Sequence, residues 1–337
     1  MRVVVTGAAG FIGSNLVRMM VQETSYDIVA LDALTYAGHM SSLEDVLDRV
    51  KFTHGDIRDR ETVRRALSGA DAVVHLAAES HVDRSIRDAR AFLATNVIGT
   101  HILLDATREM GTALFVQVST DEVYGSLGET GVFTEDSPVR PRSPYAASKA
   151  SGDLLALAYH ETYGLPVVVT RCSNNYGPYQ HPEKLIPLTI VHAIQGWPVP
   201  VYGDGLHVRD WIHVDDHCRG ILAALQYGRP GRVYNFASGR EHTNIDMVRA
   251  VLAAVPARES LITFVTDRPG HDFRYGLDIR RAHEELGWAP QWSCDEGLAA
   301  TVRWYLDNQA WWSPLLDLNY ERQERPQHGG EGGALHG

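Results

Sequence analysis

Tyr145 and Lys149 stand four residues apart in YAASK, at the start of a stretch with helical patterning. Residues at that spacing lie on one face of a helix. A tyrosine with a reference pKa of about 10 is a poor base at neutral pH. An ammonium close by favours the phenolate, and a nicotinamide cation would add to that effect. The pair would then take a hydroxyl proton while hydride leaves the same carbon. YxxxK alone is common, and an exposed aromatic beside a solvated lysine is the plain alternative. A run ending in Ser119-Thr120 precedes the pair, and Thr120 would hydrogen-bond the oxygen being oxidised.

Gly7, Gly10 and Gly13 lie in TGAAGFIG, directly after a short apolar run and opening an amphipathic stretch. In that context the first glycine permits a tight turn and the second lets the backbone approach a pyrophosphate. The third lets helix and strand pack closely. The helix start, with Phe11 and Ile12 in its first turn, offers free N–H groups and partial positive charge to that pyrophosphate. Asp32 ends the second apolar run, roughly 20–25 residues on, where a carboxylate can bond the adenine ribose hydroxyls. A carboxylate there would repel a 2′-phosphate, so NAD is favoured over NADP. Asp56 closes the third run in HGDI, with Ile57 beside it. It either reaches the adenine or sits in a solvated turn.

The elements that must hold these groups alternate. Residues 3–6, 28–32, 51–56, 72–77, 114–119 and 167–172 read as strands, and 11–21, 61–67, 97–110 and 145–163 as helices. That order predicts an α/β fold with a doubly wound, parallel Rossmann sheet. Residues 1–173 form the expected NAD-binding domain. After residue 173 the alternation lapses in a segment rich in Pro, Tyr and Asn. Residues 233–237 again read as a buried strand, so the chain is expected to return to the first sheet near 206–239. A smaller α/β substrate-binding domain would then come mainly from 174–312, in pieces 174–205 and 240–312. Residues 313–337 end in the glycine-rich run 329–337 and are expected to be a disordered tail.

With 337 residues the chain can bury a real core. A formal net charge of −11 argues against nucleic acid, whose phosphates are held by clustered Lys and Arg. Cys172, Cys218 and Cys294 are too scattered for a disulfide framework or a CxxC metal site, and sixteen histidines show no HExxH spacing. No metal is expected. No apolar run approaches membrane-spanning length, and the first strand leaves no room for a signal peptide. The expected location is the cytoplasm.

The GxxGxxG spacing resembles the short-chain dehydrogenase/reductase superfamily, and YxxxK strengthens the likeness. TGAAGFIGS, LTYAG, HLAAESHVDRS, STDEVYG, SPYAASK, NNYGPYQHPEKLIP and DRPGHD narrow it. In that order, from residue 1 to about 312, they resemble the dTDP-glucose 4,6-dehydratases. The resemblance implies NAD as cofactor and a nucleotide-diphosphate sugar, dTDP-glucose, as substrate. It also implies a homodimer through the 145–163 helix, whose apolar side carries Ala147, Leu154, Leu155 and Ala158. The deciding element is Thr120-Asp121-Glu122. Once C4 of a hexose is a ketone, the C5 proton becomes removable. By resemblance Glu122 takes that proton and Asp121 protonates the departing C6 oxygen.

The remaining assignments follow from the same resemblance. Leu76, Ala77 and Ala78 line the cofactor, and Ser85 reaches substrate. Asn174 faces the hexose or the phosphates. Lys184, Leu185, Arg209, Asn235, Arg268 and His271 belong to the diphosphate and nucleoside contacts. Tyr202 packs against the base, near Pro200. Ala33 departs from the longer polar residue many members carry. Two other readings remain open. One is another NAD-linked sugar-nucleotide enzyme, a UDP-hexose 4-epimerase or UDP-glucuronate decarboxylase; the acidic pair speaks more firmly against the epimerase. The other is a non-catalytic NAD-sensing protein on the same fold.

Overall fold

Valine-rich runs without polar alternation suit strands covered on both faces, the usual state of a parallel sheet. A computed structural model describes residues 1–323, and side-chain surroundings as far as residue 316. The strands are β1 (Arg2–Thr6), β2 (Asp27–Asp32), β3 (Lys51–His54), β4 (Ala72–His75), β5 (Leu114–Thr120) and β6 (Val167–Cys172). They continue with β7 (Asn174–Tyr176), β8 (Val199–Tyr202), β9 (Val208–His213), β10 (Val233–Phe236), β11 (Glu241–Thr243) and β12 (Ile262–Val265). Seven of them form one sheet in the order β3-β2-β1-β4-β5-β6-β10. Every pairing in it is parallel.

Apolar cores lie on both faces of this sheet. Val3, Val5 and Val116 meet the helices Phe11–Glu23 and Val214–Tyr227 on one side. Val4, Val73 and Phe115 meet Leu103, Leu104 and Ala156 on the other. The order reverses between β1 and β4, so their carboxyl ends open a crevice, the usual ligand position in such sheets.

The smaller unit holds the three-stranded sheet β11-β9-β7 and the parallel pair β12-β8. Its core gathers Tyr176, Ile190, Trp211, Val251, Leu298 and Trp312. The return to the large sheet begins later than residue 206. β9 lies in the small sheet; the helix Val214–Tyr227 and β10 rejoin the main body, and the later helix Arg280–Leu286 packs there against β10. β9 is buried along nearly its whole length, as a main-sheet strand would be, so its pattern does not disclose which sheet it joins.

Two further expectations are corrected. The helix expected at 97–110 starts earlier, at Arg90–Phe92, and passes through a π-helical stretch, Leu93–Gly99, before Thr100–Glu109. Residues from Ser313 do not leave the body at once. A helix spans Gln309–Gln323, with Trp312 fully buried and Leu315 5% exposed. The glycine-rich stretch 329–337, expected to be disordered, lies outside the described residues.

Candidate active site

A cleft of about 330 Å3 runs along the carboxyl ends of β1, β2, β4 and β5. Gly7, Gly10, Phe11, Ile12 and Gly13 form part of its wall. Gly7 has φ +68°, and a Cβ there would stand 2.7 Å from the Ala77 nitrogen. A Cβ on Gly13 would meet the Gly7 carbonyl oxygen at 2.0 Å. Both positions therefore need glycine for packing. Gly10 meets only one atom so closely, at 3.3 Å, and its backbone borders the cleft. It caps the helix Phe11–Glu23 without any side-chain hydrogen bond, leaving the first N–H groups for an anion.

Asp32 lines the same cleft, 7% exposed. Its carboxylate accepts from the Ala9 amide at 2.9 Å and the Leu34 amide at 2.8 Å. Burial raises its pKa, against the pull of those two amides. Asp56 and Ile57 lie farther along, with Asp56 paired to Arg58 at 2.5 Å. Leu76, Ala77 and Ala78 follow β4 and form the opposite wall. Glycines that a Cβ would fill, an uncapped helix start and a carboxylate at the end of β2 fit an adenine dinucleotide.

Tyr145 and Lys149 border the inner end of the cleft. Their helix, Pro144–Tyr163, starts cleanly because Ser143 accepts from the Ala146 amide and proline occupies the first turn. Lys149 Nζ donates to the Val118 carbonyl at 2.7 Å. Burial lowers the Lys149 pKa, while Asp153 opposes that shift. Burial and then the Glu122 carboxylate push Tyr145 well above 10. The cleft side of this pair thus needs a cation before a phenolate is stable.

Thr120 ends β5 and caps the single 3-10 turn Asp121–Tyr124. Its hydroxyl donates to Asp121 Oδ1 at 3.2 Å. Asp121 is 2% exposed, and its Oδ2 has no hydrogen-bond partner among the described residues. Burial, reinforced by Glu122, raises Asp121 well above the ordinary carboxylate range, which favours its protonated form. Burial also raises Glu122, but Arg268, Lys184 and Arg209 all pull it back. Adjacent carboxyl groups thus hold different protonation preferences, the arrangement an acid and a base require.

A second cavity, about 40 Å3, adjoins the first, and Glu122 and Asn174 line both. Arg209, Arg268 and His271 border the smaller one, while Lys184 borders the larger. Lys184 donates to the Ser80 carbonyl at 3.0 Å. Arg209 is fixed by the carbonyls of Val208 and Asp272, at 2.7 and 2.8 Å. Tyr202, 39% exposed, lies beside Arg268, whose guanidinium stands 5.5 Å from its ring centre. An anionic ligand extending from Glu122 would therefore meet a cationic rim.

Five residues assigned to substrate do not line either cavity, Tyr202 and four others. Ser85 is buried; it donates to the Val82 carbonyl at 2.6 Å and accepts the Tyr145 amide at 3.1 Å. Asn235 is fully buried inside β10. Its Oδ1 accepts from the Tyr124 hydroxyl at 2.8 Å, and its Nδ2 points to the carbonyls of Asp278 and Phe133. Those bonds leave its amide nothing to offer a ligand. Leu185 packs into the small unit's core, and Pro200 sits in β8 opposite Thr263.

The structure also supplies residues that spacing did not disclose. Asn96, turned inward by the π-helical stretch, bonds the Glu79 amide at 2.9 Å, the Glu79 carbonyl at 3.0 Å and the Ser148 hydroxyl at 2.9 Å. Ser148 in turn donates to the Tyr145 carbonyl at 2.7 Å. One asparagine therefore ties the loop after β4 to the helix that carries Tyr145 and Lys149. Glu183, next to Lys184, borders the cleft and accepts from the Tyr36 hydroxyl at 3.2 Å. Its place beside a cation in HPEK was the available signal.

Among the described residues, one cluster has metal-ligand residue types: His207, Asp267 and His271. The two imidazoles are stacked, 3.6 Å between centroids and 19° between planes. Parallel rings cannot both direct in-plane lone pairs at one ion. Arg268 donates to His271 Nε2 at 3.0 Å, which leaves Nδ1 to donate to Asp267 at 2.7 Å. The geometry suits a hydrogen-bonded support for the cationic rim.

A family model described as GDP-mannose 4,6 dehydratase matches residues 4–301. A dTDP-glucose 4,6-dehydratase of Streptomyces griseus is 56% identical over 317 residues, covering 93% of this chain and 96% of the relative. The chain belongs to the dTDP-glucose 4,6-dehydratase family. Among solved structures, the dehydratase DesIV of Streptomyces venezuelae, crystallised with NAD, superposes with a TM-score of 0.92 at 52% identity. The match covers 94% of this chain and all of that one. A UDP-glucose 4-epimerase of Thermus thermophilus shares the fold at TM-score 0.86 and 33% identity, covering 91% of this chain and all of the epimerase. Dehydratases and epimerases share this scaffold, so the fold alone does not separate the two activities.

Proposed function

We propose that the chain converts dTDP-glucose to dTDP-4-keto-6-deoxyglucose, with NAD as a cofactor that is regenerated each turn. The observation that carries this reading is the placement of Asp121 and Glu122. They share one turn directly after Thr120, within the cleft that holds Tyr145, and Glu122 borders both cavities. An epimerase needs only oxidation, rotation and reduction, and has no use for two such carboxyl groups.

The glycine turn and Asp32 would hold NAD, which when bound would supply the hydride acceptor for C4 and the donor for C6. Tyr145 takes the C4 hydroxyl proton, and Lys149 stabilises the phenolate. Thr120 hydrogen-bonds the same oxygen. Glu122, raised by burial but with Arg268, Lys184 and Arg209 favouring its anion, removes the C5 proton. Asp121, whose protonated form is favoured by burial and by Glu122, passes its proton to the leaving C6 oxygen. Arg209, Arg268 and Lys184 neutralise the diphosphate, with Tyr202 beside the base.

The chain works as a homodimer in the cytoplasm. Support for the dimer is an exposed apolar strip: Leu154 at 57%, with Leu93 at 51% and Ile98 at 53% on the preceding helix. A two-fold axis would bring this strip against its own copy. No helix among the described residues is long and apolar enough to cross a membrane. The described cysteines are all free thiols, as a reducing compartment keeps them. Incubation of the purified protein with dTDP-glucose, UDP-glucose and UDP-glucuronate tests the reading. A 4-keto-6-deoxy product from the first supports it; epimerised or decarboxylated product from the others overturns it.

A further inference from the structure

One turn beyond Lys149 on the same helix lies Asp153, fully buried. Its Oδ2 accepts from Arg171 Nε at 2.9 Å, and the Arg171 side chain is 3% exposed. The Arg171 guanidinium also stands 4.7 Å from the Tyr124 ring centre. A buried ion pair of this kind contributes little net stability compared with an apolar pair of similar volume. Its place behind Lys149 therefore calls for a role beyond holding the fold.

Asp153 Oδ1 has no hydrogen-bond partner among the described residues. Four residues apart on a helix, Lys149 and Asp153 share a face. The other titratable groups around Lys149 come from four elements. Tyr145 on its own helix, Asp121 and Glu122 after β5, and Cys172 on β6 all have their pKa values raised, chiefly by burial. His75 on β4 is lowered to about 3 by burial and by Lys149, and stays neutral. Arg171 on β6 faces Asp153. Burial raises the pKa of Asp153 too, while Arg171 and then Lys149 pull it back; it is the acid with a guanidinium bound to it.

We infer that Asp153 is a positioning residue that keeps Lys149 charged inside the protein, and that Arg171 holds Asp153 ionised for that purpose. The inference rests on the dehydratase reading of Tyr145 and Lys149. Burial favours the neutral amine at Lys149, and a neutral amine cannot stabilise a phenolate. A nearby anion restores the cation; an anion that is itself buried needs a second cation. The Lys149–Asp153–Arg171 series satisfies both demands.

The test uses Asp153→Asn and the double variant Asp153→Asn/Arg171→Gln, which leaves no unpaired buried charge if the single variant fails to fold. The first readout is the pH profile of kcat with dTDP-glucose. Removing the anion lowers the pH at which Lys149 loses its proton, so the alkaline limb should move down by about one unit or more. The second readout does not depend on turnover. Trace acetylation of Lys149 by acetic anhydride, followed across pH by peptide mass, gives the midpoint at which the amine becomes reactive. That midpoint should fall by a similar amount. A folded double variant with an unchanged limb and an unchanged midpoint would show that Asp153 only pairs with Arg171. If the unaltered protein leaves dTDP-glucose untouched, the dehydratase reading fails, and the labelling midpoint still decides the Asp153–Lys149 coupling.

Discussion

The hydroxyl of Ser85 accepts a hydrogen bond from the backbone N–H of Tyr145 at 3.1 Å. That N–H lies in the first turn of the catalytic helix and has no partner within the helix. Ser85 therefore fixes where the helix, and with it the Tyr145 ring, begins. Ser85→Ala should cost about 1 kcal/mol and lower kcat, leaving the KM for dTDP-glucose unchanged. Thermal unfolding and steady-state kinetics check this. A raised KM with unchanged kcat would instead put the hydroxyl in contact with the sugar.

Glu122→Gln should separate oxidation from elimination. Tyr145, Lys149 and Thr120 suffice for the first, so a single turnover on dTDP-glucose should develop NADH absorbance while the 4-keto-6-deoxy product fails to accumulate. Solvent deuterium should not enter C5. Tyr145→Phe should suppress the NADH signal itself, since a general base commonly contributes about 10²–10⁴-fold. Near wild-type turnover by Glu122→Gln would remove the acidic pair from the mechanism.

Asp121 gives a signed pH effect. Its pKa is raised in the folded protein, first by burial and then by Glu122. The stability of its protonated form is present in full below the ordinary carboxylate pKa and is lost as pH rises through the raised value. Asp121→Asn keeps a neutral side chain at every pH. Its Tm should therefore gain on wild type as pH increases, while dehydration is lost. A Tm difference that does not vary with pH would mean Asp121 is ionised in the native protein.

The purified protein should retain NAD rather than NADP. The Asp32 carboxylate is buried at the end of β2, held by the Ala9 and Leu34 amides. A 2′-phosphate there would meet a negative charge that cannot swing away. Mass analysis of nucleotide released on denaturation should find NAD(H), and mainly NADP would overturn the role of Asp32. Asp32→Ala should lose cofactor on gel filtration.

Shortening the chain to Trp312 should destabilise it. Leu315 is 5% exposed, and the helix Gln309–Gln323 runs through the cut. Leu315→Ala should cost about 2–4 kcal/mol if its site collapses little. An unchanged Tm for both would show that this helix adds nothing to the small unit's core.

The amino-acid order by itself determined the large sheet, the glycine turn, Asp32, and the cleft positions of Tyr145, Lys149, Thr120, Asp121 and Glu122. Each depends on neighbours within one strand, one turn or one helix, where period and spacing are set locally. The functions of Ser85, Asn235 and Asn96 were decided only by the tertiary structure. Ser85 and Asn235 stand in suggestive segments, yet their polar atoms are used by Tyr145 and Tyr124, 60 and 111 residues away. Asn96 reaches Ser148 because a π-helical stretch rotates it inward. That β9 joins the small sheet was not legible, because strand burial records only that both faces are covered, not by which neighbour. Hydrogen bonds between distant segments form only when the whole chain has packed, so no local pattern carries them.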